Sequence, residues 1–184
     1  TVSAVLLTSD REVSTRADQI LHKAASITGQ LSTGRHTRLR TAGAVLAADP
    51  QFLGTVSAGD LAAVNGLLSA HRYRAEIDLL VLLDADGRIL AGTDVSSTQN
   101  FPELVNLAMT EGPAPAHIRV HDHNYEVVTL PVGEGAPLAW LASGVLVEEN
   151  FARRMSALTG LDVTLLARNT EPWSIPGSSL DRLD

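Results

Sequence analysis

Hydrophobic positions divide this chain into a helical half and a stranded half. Upstream, Val13, Ala17, Ile20, Leu21, Ala24, Ile27 and Leu31 recur at steps of three and four, the spacing of one helix face. Ser9-Asp10-Arg11-Glu12 just ahead of them has the form of a capping box. The stripe resumes at Leu39, Ala42, Val45 and Leu46 and stops at Asp49-Pro50, because proline disfavours helix in the residue before it. The pattern predicts one long helix over about 10–48, weakened where Gly29 and Gly34 interrupt it. A second helix follows in "SAGDLAAVNGLLSAHRYR", with Asp60 as its cap and Leu61, Val64, Leu67 and Leu68 as its apolar face.

Downstream the period shortens. Ile77 to Leu83 is almost wholly apolar, the mark of a central strand covered on both faces. Asp84-Ala85-Asp86-Gly87 supplies a turn, and Arg88 to Thr93 returns antiparallel. A polar loop, "TDVSSTQN", leads to a short helix from Pro102 to Met109, which "EGPAPA" ends. Three further strands are expected at His117–His121, Tyr125–Val132 and Leu138–Val147. Asp122-His123-Asn124 and Gly133-Glu134-Gly135 are the turns between them. A helix over 148–158 and a last hairpin, Asp162–Ala167 with Trp173–Leu180, complete the chain. The fold class is therefore α+β.

Composition narrows the functions. A formal charge of −7 argues against nucleic acid as a partner, since the phosphate backbone needs a positive surface. Arg35, His36, Arg38 and Arg40 make one basic cluster, which on a helix reads as solvated surface. With no cysteine, disulfides, thiolate metal sites and cysteine nucleophiles are all excluded. No run of about 18 apolar residues could span a bilayer. The opening "TVSAVLLTSD" reads either as a short edge strand or as the last turn of a membrane helix. There is no G-x-S-x-G elbow, phosphate-cradling glycine loop or H-E-x-x-H, so no catalysis is expected of this segment.

Two strands, a helical crossover and three antiparallel strands resemble the five-stranded sheet of PAS-like sensory modules. Two stretches carry a closer resemblance. They are "RLRTAGAVLAADPQFLGTVSAGDLAAVNGLLSAHRYRAEIDLLVLLDADGRILAGT" and "YEVVTLPVGEGAPLAWLASGVLVEENFARRMSALTGLDVTLLARN". Together they resemble the extracytoplasmic Cache sensor domains, of the double-Cache kind, carried by bacterial transmembrane receptors. Such receptors include histidine kinases, diguanylate and adenylate cyclases and chemoreceptors. The resemblance implies a helical stalk and second helix over 1–75 and a PAS-like sensor core over 76–147. A connecting helix and partial membrane-proximal module would occupy 148–184. It also implies a periplasmic or extracellular location, a membrane tether, a homodimer through the N-terminal helix and no cofactor.

In a PAS-like module the ligand lies between the sheet and the loop and helix after the first hairpin. Arg119 is the candidate for clasping an organic anion, because its guanidinium offers paired donors. Tyr125 could form a wall and offer a hydroxyl. Asp94 and Ser97 lie in the expected lid, and His121 and Tyr73 are further candidates for ligand contact. His117, His121 and His123 share parity and could hold zinc on one continuous strand, but the expected turn breaks that face, so no metal is expected. Two alternatives remain open: a ligand-free structural or dimerisation module, and a cytoplasmic PAS domain.

Overall fold

The computed structural model describes residues 26, 29–30, 32–93, 95, 99–147, 153, 156–158, 164–167 and 174–178. The first helix, α1, runs through 32–47, with helical backbone also at 26, 29 and 30. Its expected beginning near residue 10 lies outside the described residues. At its end the chain does not leave helix for long. Asp49 accepts hydrogen bonds from the N–H groups of Gln51 and Phe52, and Pro50 stands at the first helical position, where its missing N–H costs nothing. The result is a short helix, α2 (Pro50–Ser57), that the sequence reading did not anticipate. Helix α3 (Leu61–Ala75) starts on Asp60, which caps the N–H of Ala63, and stops at Glu76 in a left-handed conformation.

Five antiparallel strands form one sheet: β1 (Leu79–Leu83), β2 (Ile89–Gly92), β3 (Pro115–Val120), β4 (His123–Val132) and β5 (Ala139–Leu146). Their order across the sheet is β2-β1-β5-β4-β3. Helix α4 (Pro102–Glu111) lies in the crossover between β2 and β3. Helical backbone recurs at 153 and 156–158, and β6 (Thr164–Ala167) pairs with β7 (Ser174–Ser178) as a separate hairpin.

Alternation along the strands makes two cores. Leu80, Leu82, Ala91, Val128, Val132, Ala139 and Leu141 face Leu39 and Leu46 of α1, Phe52 of α2, and Val64 and Leu68 of α3. Helices and sheet therefore share one core across the expected boundary at 75/76. On the opposite face Leu79, Val81, Leu83, Ile118, Val120, Tyr125, Val127, Trp140 and Ala142 pack under Phe101, Leu104 and Val105. Cross-links hold the helices to the first face: His71 Nε2 bonds the carbonyl of Ala42 at 2.8 Å, and Asn65 Oδ1 accepts from the N–H of Gly92.

The hairpin at β3–β4 turns one step earlier than its composition suggested. Val120 pairs directly with His123, leaving His121 and Asp122 as the loop, and His121 takes φ 52°. His123 belongs to the strand. The expected turn at Asp122-His123-Asn124 is corrected by this register.

Candidate functional site

The crossover is fastened to the sheet at both ends. At its start, Thr93 bonds both backbone groups of Leu80 through its N–H and hydroxyl, and Val95 packs over Gly92, where a Cβ would come within 2.5 Å of it. At its return, the N–H of Phe101 bonds the carbonyl of Gly87 at 2.8 Å, and Arg88 bridges Asn100. Gly87 has φ 79°, and a Cβ there would lie 2.4 Å from the backbone nitrogen of Pro102. The β1–β2 turn thus seats the N-terminus of α4.

Under this cover, one row of the sheet consists of Thr129, Ala142, Val81 and Gly92, paired in register from β4 to β2. Its side chains are small beside the neighbouring row of Pro131, Trp140 and Leu83. Thr129 is 3% exposed and, among the described residues, its Oγ1 has no hydrogen-bond partner. The Oε1 of Gln99, in the crossover, is likewise buried without a partner. Leaving such an atom unsatisfied costs about 1–3 kcal/mol, so buried polar atoms are nearly always paired. Thr129 Oγ1, on the covered face of β4, and Gln99 Oε1, in the crossover, are thus each open to a further hydrogen bond among the described residues.

The opposite face holds a charged cluster. Glu126 is 5% exposed, and its carboxylate takes a 2.9 Å bond from Arg35 and meets Nε2 of His36, both on α1. Ser32 Oγ lies 3.4 Å from the same His36 nitrogen, and His117 stands opposite Glu126 on β3. Arg35 and His36 are therefore not solvated surface, as their sequence neighbourhood implied; their side chains are 17% and 29% exposed. Sequence reasoning missed Glu126 and Thr129 because neither stands in a motif.

Of the sequence-derived site residues, Tyr125 lies in the crossover-covered core, 8% exposed. Arg119 has the parity of His117, so it projects from the α1 side of the sheet, where it bonds Asp122 at 3.1 Å. His121 sits exposed at the hairpin tip. Tyr73, 88% exposed, lines a surface groove of about 560 Å³ with Ser69, Arg72, Glu76, Ile77 and Asp78. Asp94 and Ser97 lie outside the described residues. Among the described residues no cluster of three or more His, Cys, Asp or Glu side chains could hold a metal ion, and no helix is long and apolar enough to cross a membrane.

Comparison with known proteins agrees with this architecture. The family model for the double sensory domain of two-component sensor kinases, a double-Cache family, matches residues 12–173. The chain belongs to this family. It is a sensory domain. The solved structures similar to it include the periplasmic domain of Vibrio cholerae LuxQ, with 15% identity and a TM-score of 0.62, covering 86% of this chain and 78% of that one. The ligand-binding domain of the Campylobacter jejuni chemoreceptor Tlp3, in complex with 4-methylisoleucine, is similar with 13% identity and a TM-score of 0.59, covering 90% and 71%. The sensor domain of the V. cholerae histidine kinase DctB follows with 12% identity and a TM-score of 0.54, covering 77% and 58%. At these identities the likeness is one of fold. No curated protein matches the chain.

Proposed function

We propose that this double-Cache domain is the extracytoplasmic part of a membrane-bound receptor and holds a small molecule between the sheet and the β2–β3 crossover. Strand β4 carries the reading. Its odd-numbered residues, Tyr125, Val127 and Thr129, face the crossover, and its even-numbered residues, Glu126 and Val128, face the helices. A ligand bonded to Thr129 therefore presses on the same strand whose Glu126 grips α1. Occupancy shifts the balance between two placements of α1 by as much as the ligand prefers one of them. Through α1, paired with its copy in a homodimer, the shift passes to a transmembrane segment and an output domain. Ligand-binding relatives by fold, such as Tlp3 with 4-methylisoleucine, support a small-molecule occupant.

A second reading has its own support. The crossover-covered face is rich in Leu79, Val81, Leu83, Val127 and Trp140, as a ligand-free dimerisation module would be. Signalling by the full-length receptor separates the two. If the site binds a ligand, Thr129→Val blunts the response to stimulus while the domain stays folded. An unchanged response in that variant favours the ligand-free module.

A further inference from the structure

Helix α1 is built in two parts. From Leu39 to Ala47 it is a foot seated on the sheet: Leu39 and Leu46 are buried in the helix-side core, with Ala42 and Ala47 packed against it. Gly43 brings the backbone so close that a Cβ there would lie 2.6 Å from both Ser143 Oγ and Leu130 Cδ1. The carbonyl of Ala42 is held from another side by His71 of α3. Just before this foot the sequence runs Ser32-Thr33-Gly34-Arg35-His36-Thr37-Arg38, about two helical turns without a hydrophobic residue. Among the described residues, what ties this arm to the domain is polar. Arg35 and His36 meet the Glu126 carboxylate, and Arg38 donates to the carbonyl of Glu76 at the end of α3.

From this division we infer that α1 carries a latched arm: when the contacts at Glu126 open, Ser32–Arg38 swings about the foot at Leu39–Gly43, and the foot stays. The two parts differ in what opening costs. Breaking the polar contacts hands their groups back to water, whereas lifting the foot would expose a packed apolar core. The arm also bends easily. Gly34 lowers its helix propensity, and the hydroxyls of Thr33 and Thr37 bond carbonyls four residues back, an arrangement that often bends a helix. From Leu39 to Ser32 the arm is about 10 Å long, so a tilt of about 20° carries its tip about 3–4 Å. The inference deepens the route proposed above. It rests on that reading for what opens the latch, while the swing itself needs no ligand.

The test reads two distances by double electron–electron resonance between nitroxide labels, in a chain with no cysteine of its own. One pair joins the arm to the body, Thr33→Cys with Asn106→Cys. The other joins the foot to the same reference, Ala44→Cys with Asn106→Cys. All three positions are exposed, and Asn106 lies on α4, across the sheet. With Glu126 in place both distances are expected to be single and narrow. In Glu126→Gln the arm distance is expected to shift or broaden by about 3 Å or more, while the foot distance holds within about 1 Å. The same is expected of Arg35→Ala/His36→Ala, which opens the latch from the helix and leaves the sheet as it is. An arm distance unchanged in either folded variant overturns the latch. Equal changes at arm and foot overturn the hinge, because α1 then moves as one rigid body. An arm already broad with Glu126 in place overturns both. These distances are read without ligand, so their failure leaves the pocket standing. The pocket falls instead on an unchanged response to stimulus in Thr129→Val.

Discussion

Arg35 and Glu126 are 91 residues apart in sequence and 2.9 Å apart in the fold, a helix cation bonded to a strand carboxylate that is almost fully buried. Such a bond, with His36 at the same carboxylate, holds α1 against the sheet by charge beside its apolar contacts. Removing one partner of a buried pair leaves the other uncompensated, which is costlier than the pair is stabilising. Glu126→Gln is therefore expected to destabilise the domain by about 2–3 kcal/mol, lowering Tm by about 5–10 °C. A double-mutant cycle with Arg35→Met should return a coupling of about 1–3 kcal/mol. Coupling indistinguishable from zero would show that the two side chains meet without holding anything.

Thr129→Val is expected to stabilise the empty domain by about 1 kcal/mol, since it replaces an unpaired buried hydroxyl by a methyl group of similar size. Chemical denaturation of the two proteins without ligand gives the difference. A loss of more than about 1 kcal/mol would mean that the hydroxyl already has a partner, and the site would lose its main support.

Gly87 meets two demands at once, a positive φ and a backbone approach by Pro102. Gly87→Ala should cost about 2–4 kcal/mol. Asparagine tolerates the left-handed conformation but still carries a Cβ. Gly87→Asn is thus expected to fail almost as badly, and its full recovery of wild-type Tm would leave only φ as the reason for glycine.

The cap at α2 has a plain expectation. Asp49→Ala removes an acceptor for two N–H groups and should cost about 1–2 kcal/mol, whereas Asp49→Asn keeps most of it. Equal losses in both would point to the charge and not the hydrogen bonds.

Much of the sheet was legible because its signals are local. The apolar run ending at Leu83, the Asp84–Gly87 turn and the strand-forming run from Tyr125 to Val132 each appear within a few residues. Helix α2 is not legible in the sequence: Asp49-Pro50 signals the end of one helix, but a proline after aspartate also begins one. The β3–β4 turn lies one step earlier than its composition predicts because His121, a residue with a Cβ, adopts the left-handed conformation that asparagine more commonly takes. The site was the least legible part. Parity says that Arg119 and Val120 face opposite ways, but only the packing of α1 tells which way is which. Glu126 looks like any exposed strand acid until a helix from the far end of the sequence lies across it.

Methyl-resolved NMR of the domain titrated with 3-methylbutanamide, a small probe with an apolar body and a polar head, tests most directly whether a small molecule enters between sheet and crossover. Shifts are expected first and largest at Leu79, Val81, Val127, Leu104 and Val105, the methyls of the covered layer. Those of Leu39, Val64 and Leu68, behind the sheet, should follow only weakly. Shifts centred on that second group, or equal in both, would place the molecule elsewhere and contradict the account.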